Sequence, residues 1–301
     1  MQEGLIFDIR RFAIHDGPGI RMVVFFKGCN LRCAWCHNPE SISPAAEKMY
    51  TAQKCIGCAA CVEACPQNAI VLSPEGIKTS TQCTVCGICA EVCPSLATEI
   101  SGKPMDADAV MQLIRKERVF FDTSGGGVTF SGGEPLLHTR QLMPLLQACR
   151  NEGIHTAIDT AGNIPSKSLR EAAKLTDLFL YDLKMMDDHQ HRQWTGQSNR
   201  LILKNLQELA GYHPAIVVRI PLMGGINDTP ENLQQTAHFV AGLKGERKEV
   251  QLLPYHAIAQ NKYRKMGQES RFERMNEPNS SSLELAVEIF HKHGLKASIG
   301  G

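Results

Sequence analysis

The sequence predicts an α/β protein built on a parallel sheet, interrupted near its N-terminus by a small cysteine-rich domain. Three observations carry this reading. From Asp106 onward, short apolar runs alternate with segments of helical periodicity. Eleven of the twelve cysteines lie between Cys29 and Cys93, and only Cys149 stands apart. The chain has 301 residues, 43% hydrophobic and 21% charged. It is therefore about two average domains long, with enough apolar material for a true core, which excludes a disordered chain or a small disulfide-stapled scaffold.

Taken in order, the first strand is expected from about Met22 to Phe26. The cysteine-rich stretch, about Tyr50 to Ser101, has few large apolar residues, so bound metal would substitute for a core. Two cysteine runs within it repeat, each followed by a strand-like tail, AIVLSPEGIK and LATEISGK. Asp106–Phe120 carries Val110, Leu113 and Ile114 at helical spacing, with Asp106 or Asp108 as N-cap. Buried parallel strands are expected at Gly127–Phe130, His155–Asp159, Leu178–Leu183, Ile216–Ile220, Val250–Leu253 and Lys296–Ile299. Helices are expected around 138–152, 166–175, 198–211, 229–242 and 280–293. So many βα units joined by right-handed crossovers tend to curl into a barrel. Composition alone does not separate that from a doubly wound open sheet.

Formal charge is +1, with no long run of one sign. A nucleic-acid or anionic-membrane partner held by a basic field is thereby disfavoured. No apolar run approaches the ~18 residues of a membrane span. The N-terminal stretch MQEGLIFDIRRFAIHDG lacks the layout of a secretory signal. A soluble cytoplasmic protein is expected.

In a reducing cytosol, clustered cysteines at fixed spacing read as metal ligands. Cys55, Cys58, Cys61 and Cys65-Pro66, then Cys83, Cys86, Cys89 and Cys93-Pro94, match the bacterial ferredoxin run, in which the fourth cysteine serves the other cluster. One 4Fe–4S cluster is thus assigned to Cys55, Cys58, Cys61 and Cys93, and its mate to Cys83, Cys86, Cys89 and Cys65. A pair of zinc knuckles is the alternative, which the doubled run fits poorly. Cys29, Cys33 and Cys36 form a third group without a spare partner, since Cys149 lies in the apolar helical segment LLQACRNEG. A cube held by three thiolates leaves one iron open for chemistry, whereas the two closed clusters carry electrons.

The C-x3-C-x2-C group resembles the signature of the radical S-adenosylmethionine superfamily. Asp16-Gly17-Pro18-Gly19-Ile20-Arg21, then Phe25, Gly28 and Cys29, with His37-Asn38-Pro39-Glu40 after the last cysteine, is similar to the longer signature of the activating enzymes of glycyl radical enzymes. The likeness runs through the whole chain and takes in the pyruvate formate-lyase activating enzyme type with a two-cluster ferredoxin insert. It implies an open, partial parallel β/α barrel, residues 1–48 and 102–301, with a ferredoxin-like insert at 49–101.

Barrel enzymes gather their chemistry at the C-terminal ends of strands, and polar motifs fall there. Gly132, Gly133 and Glu134 follow the strand Val128–Phe130, and resemble the family motif that holds the methionyl amino group. Asp159, Asp182, Lys184, Arg219 and His256 end the next four strands. The resemblance implies that Asp159 and Asp182 line the site with a monovalent cation beside the cofactor carboxylate. It places Lys184 and Arg219 toward the same anionic end, His256 near the methionyl part or the substrate glycine, and Trp35 against adenine. Asp16 and Arg21 would lie near the entering substrate loop. Leu222–Asp228 resembles a family loop but is left out of the site.

The implied reaction is reductive cleavage of S-adenosylmethionine to a 5′-deoxyadenosyl radical, which takes hydrogen from a backbone glycine of a partner glycyl radical enzyme. The cofactors are three 4Fe–4S clusters, one with an open iron, and S-adenosylmethionine. A flavodoxin or ferredoxin-type donor, anaerobic conditions and a monomer that docks transiently complete the expectation. The rivals are a radical S-adenosylmethionine enzyme acting on another peptide or small molecule, and a ferredoxin-type electron carrier. Which glycyl radical enzyme is served is not written in the motifs.

Overall fold

The computed structural model describes residues 4–246, 248–268 and 275–300. Its centre is a nine-stranded sheet. The strands of the chain are β1 (Leu5–Ala13), β2 (Arg21–Phe26), β3 (Glu47–Tyr50), β4 (Ile70–Ser73), β5 (Gly76–Thr79), β6 (Thr98–Ser101), β7 (Lys103–Pro104), β8 (Gly127–Gly132), β9 (His155–Thr160), β10 (Leu178–Asp182), β11 (Ile216–Leu222), β12 (Glu249–Pro254) and β13 (Lys296–Ile299). In space the order is β13-β12-β11-β10-β9-β8-β2-β1-β7. From β2 through β8 to β13 neighbours pair in parallel, whereas β1 and β7 add an antiparallel margin. The two sheet edges, β13 and β7, do not pair with each other, so the curled sheet is a partial barrel.

Helices α3 (Ala107–Lys116), α4 (Arg118–Ser124), α5 (Thr139–Asn151), α6 (Ser166–Ala173), α7 (Asp188–Thr195), α8 (Arg200–Ala210), α9 (Pro230–Ala241), α10 (Gln260–Lys265) and α11 (Ser280–Lys292) follow the sheet's connections. Two one-turn helices, α1 (Ala60–Glu63) and α2 (Ile88–Glu91), lie earlier in the cysteine-rich stretch. Side-chain caps fix several helix starts: Asp106 accepts from Ala109 N at 2.7 Å, Asp187 from Gln190 N at 2.7 Å and Asn279 from Ser282 N at 2.8 Å. The main core packs α3, α5, α8, α9 and α11 against the sheet through Val110, Leu145, Leu206, Leu233 and Phe290. Strand β2 is buried at all six positions, as a central strand covered on both faces must be. In β11 burial alternates: Ile216, Val218, Ile220 and Leu222 face the helices. Val217, Arg219 and Pro221 therefore face the barrel interior.

Three local readings change. A strand, β1, precedes the one expected at Met22–Phe26. It belongs to the sheet's antiparallel margin, its charged Asp8, Arg10 and Arg11 hide the two-residue period, and only Ile6 is fully buried. The helix expected over Asp106–Phe120 is two helices broken at Glu117, whose nearly buried carboxylate meets Arg11 at 2.6 Å. Helices α7 and α10 were not foreseen, because neither carries a long apolar stripe. In the cysteine-rich stretch β3 pairs with β6 and β4 with β5, each as a two-stranded antiparallel sheet separate from the barrel.

Candidate functional site

The C-terminal ends of the parallel strands open into a cavity of about 400 Å³. One wall is the loop after β2, which carries Cys29, Cys33 and Cys36. Backbone bonds pin that loop: Gly28 N donates to Ser41 O (2.7 Å), Cys29 N to Ile42 O (3.1 Å) and Glu134 N to Gly28 O (2.9 Å). Burial pushes the Cys29 thiol up to about 12 and raises Cys33 and Cys36 as well. Neutral on their own, these thiols become thiolates only beside a strong local cation such as cluster iron. Their sulfurs stand around a space.

Opposite the cysteines stand the charged strand ends. Lys184 Nζ donates to Asp182 Oδ2 at 2.7 Å. Burial lowers the Lys184 pKa, but the Asp182 carboxylate outweighs it, so the ammonium stays charged. Arg219 Nη1 lies 3.6 Å from Asp159 Oδ2 and 3.7 Å from Asp16 Oδ1. The Arg219 Nε is buried and without a hydrogen-bond partner, a donor that an anionic group in the cavity would satisfy. Asp159 also accepts from Ser131 Oγ at 2.8 Å. Burial raises its pKa, opposed by Arg219 and reinforced by Asp182. An uncompensated ammonium would relieve that strain.

Gly132 and Gly133 line the same cavity, as do Trp35 and His256. Trp35 is 4% exposed and packs with Met223, Tyr255 and Tyr263. His256 stacks on His37, ring centroids 4.9 Å apart. Burial, then the charges of His256 and Lys262, hold His37 down at about 4.

Two expected site residues are turned away from the cavity. Glu134 is fully buried and its carboxylate accepts from Thr160 Oγ1 (2.8 Å), Ala161 N (3.0 Å) and Leu136 N (3.2 Å), so it fixes the ends of β8 and β9. Arg21 is fully buried, donating to Thr129 Oγ1 (2.7 Å), Val128 O (2.7 Å) and Pro18 O (3.1 Å). Asp16, from the same motif, does line the cavity. Thr160, Tyr255, Met223 and Lys262 line it too and were not picked out. Thr160 and Tyr255 adjoin chosen residues, Met223 sits in the loop set aside, and Lys262 carried no motif.

In the cysteine-rich stretch, Cys55, Cys58, Cys61 and Cys93 surround one small cavity with Tyr50. Cys65, Cys83, Cys86 and Cys89 surround another with Lys48. Cys149 is fully buried, its sulfur 3.8 Å from Met111 Sδ in the barrel core, and burial pushes its thiol up to about 12. That is the setting of an inert thiol.

The model of the Radical SAM superfamily matches residues 23–240. The chain is 42% identical to the trans-4-hydroxy-L-proline dehydratase activating enzyme of Clostridioides difficile over 99% of both chains. It is 40% identical to the (2S)-3-sulfopropanediol dehydratase activating enzyme of Klebsiella oxytoca, covering 99% of this chain and 97% of that one. Among solved structures, a domain of pyruvate-formate lyase-activating enzyme from Bacteroides vulgatus superposes with a TM-score of 0.51 at 36% identity, over 58% of this chain and 99% of that one. The chain belongs to the Radical SAM superfamily and, within it, to the activating enzymes of glycyl radical enzymes. No helix among the described residues is long and apolar enough to cross a membrane.

Proposed function

We propose that the cavity binds S-adenosylmethionine against a 4Fe–4S cluster held by Cys29, Cys33 and Cys36, and that the chain so equipped installs a glycyl radical in a partner enzyme. The observation that carries this reading is that three thiols and four charged strand ends, drawn from residues far apart in sequence, face one cavity. The cluster and S-adenosylmethionine together supply one-electron cleavage of the sulfur–C5′ bond, and with it the radical that takes hydrogen from the glycine α-carbon.

The chain's own residues bind and orient. Backbone at Gly132 and Gly133, with Asp159, suits the methionyl ammonium. Lys184 and the unpaired Nε of Arg219 suit its carboxylate. A monovalent cation beside Asp159 and Asp182 fits the same anionic corner. Trp35 and Tyr255 offer apolar walls for adenine, and His256 closes the side toward the substrate. Asp16, tied to Arg219, marks where the partner's glycine loop enters; Arg21 and Glu134 shape the barrel behind it.

For residues 49–101 the reading is a ferredoxin-like insert with two further 4Fe–4S clusters. The grouping of its eight cysteines around two cavities supports it, each group taking its fourth cysteine from the other run. A flavodoxin or ferredoxin-type donor would reduce them, in a cytoplasmic monomer. Similarity to two dehydratase activating enzymes favours a dehydratase as the partner.

The test is anaerobic reconstitution followed by S-adenosylmethionine and a strong reductant, with 5′-deoxyadenosine quantified. Wild type should form it, and Cys33→Ala should form none while losing about a third of the iron. Cleavage retained in Cys33→Ala would overturn the assignment.

A further inference from the structure

Strand β3 lies where the barrel meets the cysteine-rich segment, and its side chains alternate between two surroundings. Glu47 pairs with the buried Lys27 of the barrel at 2.8 Å, and Met49 is buried. Lys48 and Tyr50 share the other face. Tyr50 lines the cavity of Cys55, Cys58, Cys61 and Cys93, its hydroxyl accepting from Ile77 N at 3.2 Å. Lys48 lines the cavity of Cys65, Cys83, Cys86 and Cys89. Its ammonium donates to Thr79 Oγ1 of β5 at 2.8 Å, which holds it across the seam.

The charge of Lys48 is not offset where it sits. Lys54 faces Glu99 at 3.8 Å and Lys78 faces Glu75 at 3.4 Å. Lys48, held by a neutral hydroxyl, makes no ion pair among the described residues. Lys48 lines the cavity of the second cysteine group and not that of the first, so its charge bears most on the second.

We propose that Lys48 sets the reduction potential of the insert's clusters, favouring the added electron most on the cluster held by Cys65, Cys83, Cys86 and Cys89. This rests on the two-cluster reading of residues 49–101 given above. Each reduction adds one electron from an external low-potential one-electron donor, lowers the cluster's net charge by one and needs no proton. A fixed cation a few ångströms away stabilises that added charge. The cluster beside Lys48 then becomes the place where an electron waits between the donor and the open cluster. Lys48 does not line the barrel cavity, so it is a tuning residue rather than a catalytic one.

The experiment compares wild type, Lys48→Gln and Lys48→Arg, each reconstituted anaerobically and assayed for iron and sulfide. Each is then titrated with dithionite and mediators while cluster signals are followed by electron paramagnetic resonance. The open cluster is recognised by the change in its signal when S-adenosylmethionine is added. At the potential where wild-type insert clusters are half reduced, Lys48→Gln should show a reduced-to-oxidised ratio about tenfold lower. Lys48→Arg should stay near wild type, and the open-cluster signal should titrate alike in all three. With full iron content, a Lys48→Gln titration matching wild type overturns the proposal. So does an equal shift in Lys48→Arg, which would make packing rather than charge the cause. Wild type that loads iron for one cluster alone removes the two-cluster reading itself, a result the iron assay separates from the other two.

Discussion

Lys262 Nζ lies 2.6 Å from Glu40 Oε1 and donates to Asn38 Oδ1 at 2.7 Å. These contacts join α10 to the segment that follows Cys36, across the cavity wall, and the Glu40 side chain is only 7% exposed. Its second oxygen is already buried without a partner. Removing the lysine therefore strands a carboxylate that water cannot easily reach. Lys262→Ala is expected to cost roughly 1–3 kcal/mol of stability and to weaken S-adenosylmethionine binding several-fold. Adding Glu40→Gln should recover part of the stability. Thermal unfolding and equilibrium dialysis on the single and double variants would check this, and strict additivity would show the two residues to be uncoupled.

The Glu134 carboxyl gives a pH dependence of definite sign. Burial pushes it up to about 7, against the donors Thr160, Leu136 and Ala161. The folded chain thus holds this proton more tightly than the unfolded chain, whose carboxyl titrates at the ordinary 4.5. The stability that results is fully present below about pH 4.5 and is lost as pH rises through about 7. Glu134→Gln cannot ionise and escapes that loss. The stability of wild type relative to Glu134→Gln should fall by about 3 kcal/mol between pH 4.5 and pH 8. Unfolding curves of the two reconstituted proteins at both pH values would measure it, and a constant difference would mean the carboxyl is not buried as described.

The parallel strands and most of the cavity were legible because buried parallel strands are short apolar runs, and a charged residue at the end of one has few places to go. Arg219 interrupts an apolar run on the interior face of β11, and Asp182 ends β10. What the motif could not give was the direction of a side chain. Arg21 and Asp16 belong to one six-residue segment, yet one turns into the barrel beneath the strands and the other reaches the cavity. Lys262 was illegible for another reason: its partner Asn38 is 224 residues away, and nothing local marks a contact made only by the closed fold. The antiparallel margin was missed because β1, near the sheet's edge and partly solvated, carries charges where a central strand carries valine.

The burial of Arg21 separates two roles. Arg21→Lys removes a forked donor from Thr129, Val128 and Pro18, and a single ammonium cannot serve all three. It should cost about 2–4 kcal/mol of stability with S-adenosylmethionine affinity unchanged. Asp16→Asn, at the cavity and 3.7 Å from Arg219, should leave stability nearly intact and slow activation of the partner. Unfolding curves beside a radical-yield assay would distinguish them. Unchanged stability in Arg21→Lys with a loss of activation would place Arg21 in the substrate path instead.

Gly133 shows how the loop that carries Cys29, Cys33 and Cys36 depends on a bare backbone. A Cβ built there would collide with the carbonyl oxygen of Gly28 and stand 2.6 Å from its carbon and 2.9 Å from Ser41 O. None of these atoms is the yielding end of a side chain, and the same backbone carries the bonds Gly28 N to Ser41 O and Glu134 N to Gly28 O. Gly133→Ala must therefore displace the turn that precedes Cys29. The barrel core lies beneath it and the eight cysteines from Cys55 to Cys93 lie elsewhere, so the damage should stay local. On the three-cluster reading proposed above, iron per chain should drop by about a third, with S-adenosylmethionine cleavage lost and the signals of the two further clusters retained. Iron assay and electron paramagnetic resonance on the reconstituted variant would read both. A full iron complement with normal cleavage would show that the loop can yield where the packing says it cannot.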